Sequence, residues 1–134
     1  MKESRPTITS FLVVHNARKA VEFYTAAFEA RELVRHESPD GRMTSKMAIA
    51  NGEVWVGDEE PEFDNVSPAT LGGSAVRMVL TIADPDAVFA RALEAGASQI
   101  CPVTTEEHWK IGKLKDPFGH IWEIGHPLEV KPAQ

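Results

Sequence analysis

Cysteine, tyrosine and tryptophan are scarce in this chain: one, one and three among 134 residues, with aromatics at 7% in all. The single cysteine, Cys101, rules out an internal disulfide and fits a reducing cytoplasm, which is the expected location. It stands in an apolar context before Pro102 and reads as a small core residue rather than a nucleophile. No apolar run is long enough to span a bilayer, and the first residues show no signal-peptide pattern, so no membrane partner is expected. Basic residues are also short, 14 against 20 acids, giving a net charge of -6 with no basic run. That balance argues against a nucleic-acid partner. What is present is 43% hydrophobic and 25% charged residues, the composition of one globular domain with a real core.

The first apolar stretch, Thr7 to Val14, is rich in β-branched residues and reads as a strand. Alternation puts Ile8, Leu12 and Val14 on one face with Ser10, and Thr9, Phe11 and Val13 on the other. Asn16 suits a helix N-cap, and Ala17, Ala20, Val21, Tyr24, Ala27 and Phe28 form an apolar stripe at helical spacing. Strands are predicted at Arg31–Glu37, Met43–Ala50 and Glu53–Val56. A turn at Ser38-Pro39-Asp40-Gly41 and a hairpin at Asn51-Gly52 join them. Gly57 to Gly73 carries four close acids, two prolines and Gly-Gly, and reads as a linker or mobile loop. Beyond it come a strand at Val76–Ile82 and a helix capped by Asp84 with Pro85 at its first position and Gly96 at its end. Two further strands, Ser98–Val103 and Trp109–Leu114, flank a polar loop at Thr104 to His108. The tight turn Asp116-Pro117-Phe118-Gly119 leads into a last strand. Residues 1–6 read as loose and 128–134 as a tail.

Each half thus reads strand, helix, strand, strand, strand, an internal repeat. Thr9, Phe11, Val13, Val14 and Asn16 match Arg77, Val79, Thr81, Ile82 and Asp84 at an offset of 68. Gly52-Glu53-Val54-Trp55-Val56 is matched to Gly119-His120-Ile121-Trp122-Glu123 at 67, because that aligns two tryptophans. The expected fold is α+β, with two βαβββ modules forming curved mixed sheets that carry helices on one face. Module one spans about 7–57, a linker 58–74, and module two about 75–127. The set Ile8, Leu12, Val14 and its counterpart Met78, Leu80, Ile82 should face the helices, together with Trp55 and Trp122. The uncovered face should hold Thr9, Phe11, Val13, Val54, Val56, Arg77, Val79, Thr81, Ile121 and Glu123, a mixed surface suited to a ligand cup.

Paired βαβββ modules, Ala20-Val21-Glu22-Phe23-Tyr24 in the first helix and Asp116-Pro117-Phe118-Gly119-His120 before the last strand resemble the vicinal oxygen chelate superfamily. Its members include glyoxalase I, bleomycin resistance proteins and extradiol dioxygenases. Asp58-Glu59 with Pro61-Glu62, Leu71-Gly72-Gly73-Ser74, and the turn running to Trp122 resemble its PhnB-like branch. The resemblance covers roughly Thr7 to Pro127. It implies a homodimer in which modules of two chains complete each cup, and in metal-dependent members a ligand from the first and last strand of each module. Those positions here are Thr9, Val56, Arg77 and Glu123, and only Glu123 ligates a divalent cation in that manner. Three protein ligands are the usual need of a catalytic site. A metal-independent small-molecule binder is therefore expected, with no cofactor. The alternative is a metal-dependent lyase, isomerase or dioxygenase, so whether the chain is an enzyme stays open.

The expected ligand pocket comprises Thr9, Phe11, Val56, Arg77, Val79, Glu123 and Trp109. Within it, Arg77 and Glu123 have two readings. One is a partly buried ion pair that fixes sheet register. In the other, Arg77 grips an anionic or carbonyl-bearing ligand while Glu123 orients it or acts as a base. Trp109 can stack on a flat ligand at the rim. His120 and Glu123 fall on opposite strand faces and share no metal. His15, His36 and His108 read as turn or solvated residues, and the acidic loop lacks calcium-ligand spacing.

Overall fold

A computed structural model describes residues 5–128. The predicted looseness of the chain's start and its tail lies almost wholly outside that range. The duplicated architecture is as read from the repeat. Module one comprises β1 (Ser10–Val14), α1 (Ala17–Phe28), β2 (Arg31–Glu37), β3 (Met43–Ile49) and β4 (Gly52–Asp58). Module two comprises β5 (Arg77–Thr81), α3 (Pro85–Glu94), β6 (Ser98–Thr105), β7 (Trp109–Lys115) and β8 (Ile121–Pro127), with a short α2 (Pro68–Leu71) between the modules. The sheets run β1-β4-β3-β2 and β5-β8-β7-β6. In each, the first strand pairs parallel with the last and the remaining pairs are antiparallel.

Local chemistry starts the helices where the sequence places them. The Asn16 side chain accepts from the Lys19 amide at 3.1 Å, and Asp84 caps α3 in the same way at Ala87. Asp58, at the end of β4, does more than close a strand. Its carboxylate accepts from the Ala17 amide at 2.8 Å and the Met43 amide at 2.9 Å, tying the starts of α1 and β3 to β4. Glu59 accepts from the Ser67 amide at 2.7 Å. The expected linker is therefore folded in part, with a 3₁₀ turn at Pro61–Phe63 and α2 behind it. Its acids cap backbone amides, which composition alone does not reveal.

The two modules share one apolar core. Phe23, Tyr24 and Phe28 of α1 reach across to Phe118 and Trp122 of module two, with Phe28 and Trp122 centroids 4.6 Å apart. Burial of each such side chain contributes about 1.5–3 kcal/mol. At the centre sits Asp116, 3% exposed. Its carboxylate accepts from Tyr24 Oη at 2.5 Å, Trp122 Nε1 at 2.9 Å, and the Phe118 and His120 amides at 2.9 Å each. Four donors satisfy a charge that is otherwise costly to bury. The Asp-Pro-Phe-Gly turn is thus the latch between helix α1 and the second sheet. Gly119 closes it at φ 92°, and a Cβ there would lie 2.7 Å from Pro68 Cβ, so α2 packs directly on the turn.

Several expectations need correction. Ile8 is 96% exposed, not helix-facing, because β1 begins only at Ser10, opposite Val54, and Ile8 precedes it. That turn is centred on Ala50 and Asn51 rather than Asn51-Gly52. Ile49 pairs with Gly52, and Ala50 takes the positive φ of 52°. Cys101 is exposed rather than core, on edge strand β6, where the register shifts on both sides of it. The polar loop before β7 is also shorter than expected, since Thr104 and Thr105 belong to β6.

Candidate functional site

The face of each sheet away from the helices is set by strand register. Parallel pairing places Leu12 beside Val56 and Leu80 beside Ile124, so the repeat runs at an offset of 68 through the last strands as well as the first. The tryptophan match at 67 is one residue out. A slip of one turns every side chain to the opposite face. Val56, expected in the pocket, and Val54, expected on the uncovered face, are 0% and 6% exposed and lie in the core. Trp55, expected against the helices, stands on the open face beside Phe11. Trp122 is core, as expected, at 2% exposure. The counterpart of Glu123 in module one is therefore Trp55, not Val56. The signal that marks this equivalence is Gly57 and Gly125, which also lie 68 apart. A Cβ on Gly57 would come within 2.7 Å of the Phe11 ring, and one on Gly125 within 2.9 Å of the Ile111 side chain.

On the second sheet, Arg77 and Glu123 share the open face. Arg77 Nη1 lies 2.7 Å from Glu123 Oε1, with side-chain exposures of 61% and 16%. That oxygen is buried yet has no geometrically aligned hydrogen bond. At 2.7 Å the guanidinium neutralises that oxygen as an ion pair. Val79 sits beside Glu123 in register and is 57% exposed. Lys113 is opposite Glu123 across β7, and Trp109 lies on the same face four residues away. Thr9 is exposed and precedes β1. Phe11 is 48% exposed. The histidines fall apart from this group: His36 and His108 are exposed, and His120 points its Nε2 at the Val13 carbonyl, 2.8 Å away.

Chemically the two open faces offer two ion-paired carboxylates, Glu53 and Glu123, several cations and three aromatic rings, Phe11, Trp55 and Trp109. At the four positions where a chelating relative would present ligands stand Thr9, Trp55, Arg77 and Glu123. One carboxylate, with a guanidinium against it, is not a donor set for a divalent ion. A separate apolar recess of about 360 Å³ lies between the β1 edge and the 66–78 segment, bordered by Phe11, Leu71, Met78 and His120. It contains neither Arg77 nor Glu123 and offers little for polar recognition.

The pattern of the glyoxalase-like domain matches residues 10–124. An uncharacterized protein of Mycobacterium tuberculosis is 38% identical over 129 residues, covering 92% of this chain and 75% of that protein. The crystal structure of an Arabidopsis thaliana gene product has a TM-score of 0.67 at 29% identity, covering 91% of this chain and 98% of the other. The fosfomycin resistance protein FosX of Listeria monocytogenes shares the fold, with a TM-score of 0.72 at 13% identity over 94% of this chain and 96% of its own.

Proposed function

The chain belongs to the glyoxalase-like domain family, and from that premise we propose that it is a small-molecule-binding protein that works without the metal centre of the chelating members. The observation that carries this reading is the Arg77–Glu123 pair. A guanidinium sits 2.7 Å from the one carboxylate available, where a metal would need that oxygen. The Glu123 side chain keeps 16% exposure, and a ligand N–H or O–H that reaches its carboxylate gains a charge-assisted hydrogen bond. In this reading Glu123 orients the ligand, Arg77 engages its electron-rich group, and Phe11, Val79, Trp55 and Trp109 supply apolar and aromatic contact. Trp55 replaces Val56 in that set.

On one chain these faces are open rather than enclosed, since Arg77, Val79 and Phe11 are each about half exposed or more. A ligand pocket normally buries most of its occupant. The reading therefore includes a homodimer in which module one of one copy closes over module two of the other. The metal-dependent lyase, isomerase or dioxygenase alternative lacks two of its three protein ligands. Placement in the PhnB-like branch rests on the sequence motifs around Leu71-Gly72-Gly73 and the Asp116 turn.

A fragment screen read by amide chemical shifts tests the proposal. Hits are expected to move Arg77, Glu123 and their strand neighbours, and to weaken on Glu123→Gln. Hits that move only the recess around Leu71 and Met78 sink it.

A further inference from the structure

Sheet two carries an unexpected charge on its open face. Cross-strand register sets Lys113 opposite Glu123 and Lys115 opposite Ile121, with Arg77 beside Ile121 on the other side. Directly paired residues point the same way, so three cations and one acid share this face. Lys113 and Lys115 make no ion pair with a described residue. The face is thus net positive on a chain whose net charge is -6. Sheet one is different. Phe11 lies over Gly57, which has no side chain to lift the ring, and Trp55 is next to it in register. The Lys46 ammonium sits 5.5 Å from the Trp55 ring centroid but is already paired with Glu53 at 3.1 Å. This face thus presents two aromatic side chains beside a balanced ion pair.

We infer that the ligand is an aromatic anion, its ring system against Phe11 and Trp55 of one copy in the proposed homodimer and its negative group held by Lys113, Lys115 and Arg77 of the other. The inference rests on the binding role proposed above and adds the ligand's chemical class. Aromatic rings favour offset stacking on one another. A carboxylate or similar group gains charge-assisted bonds to lysine and arginine. Glu123 tunes the choice, since it repels a second negative group and favours a ligand that also carries an N–H or O–H donor.

Three probes separate the contributions: 2-naphthoate, 2-naphthylmethanol and octanoate, titrated into the full chain with amide shifts as readout. Naphthoate is expected to bind roughly tenfold tighter than either of the others. The double variant Lys113→Gln/Lys115→Gln should remove its advantage over the alcohol while leaving alcohol binding unchanged. Trp55→Ala should weaken both ring-bearing probes several-fold more than it weakens octanoate. If the alcohol or octanoate binds the open faces as tightly as naphthoate, the aromatic-anion inference is overturned and the binding role stands. If naphthoate moves no residue of these faces, the inference also fails. If all three probes move only the recess at Leu71 and Met78, the binding role falls with it.

Discussion

Tyr24 is the single tyrosine of the chain, so its phenol titrates without interference from any other. Burial, and then the Asp116 charge beside it, hold its pKa well above the ordinary 10.0. The sign of the pH effect follows. The unfolded chain loses this proton near pH 10.0 while the folded one keeps it. The stabilisation is complete below that pH and is lost as pH rises toward the folded value. Phenolate absorbance should therefore appear only together with alkaline unfolding, measured by circular dichroism on the same sample. A phenol that ionises in the folded protein near its usual value contradicts the latch. At neutral pH, Tyr24→Phe removes one of four donors to a buried carboxylate and should cost about 1–3 kcal/mol in urea unfolding. Arg77→Met leaves the Glu123 oxygen without its neighbouring cation. Because Arg77 is largely exposed, the expected loss is only about 1 kcal/mol, recovered in Arg77→Met/Glu123→Gln.

Elements were legible wherever local chemistry decides them. Asn16, Asp84 and the apolar stripes fix α1 and α3, and Arg31–Glu37 is a strand end to end. Register was the harder quantity. Matching Trp55 to Trp122 is attractive because tryptophan is rare, yet the two occupy opposite faces, and the glycines at 57 and 125 carry the true equivalence. Glycine is informative here because each is overlaid by a neighbouring side chain, Phe11 or Ile111, which no single-strand pattern shows. The acidic segment was unreadable for another reason: Asp58 and Glu59 act by capping amides distant in sequence or across a loop. Asp58→Ala should accordingly cost about 1–2 kcal/mol, although the residue lies in a stretch that reads as linker. Gly119→Ala forces both a positive φ on an L-residue and a contact with Pro68, and should cost more than Asp58→Ala in the same denaturation assay. A neutral outcome at Gly119 means that α2 does not rest on the turn.

At the scale of the whole molecule, the proposed binding role requires two copies. Sedimentation at micromolar concentration should give twice the 14.7 kDa chain mass, and a monomer there removes the closed pocket from the account. The fold follows from duplication, which the sequence shows openly, and the shared face of Arg77 and Glu123 follows from strand alternation. The aromatic half of the face depends on one residue of register and emerges only from strand pairing. The claim on which the rest depends is that the cation beside Glu123 is Arg77 and not a metal ion. Anomalous diffraction from crystals soaked in zinc and nickel salts tests it most directly. The expected map has no peak within bonding distance of the Glu123 carboxylate, with the guanidinium in place. A peak there, coordinated by Glu123 and at least two further donors, contradicts the account.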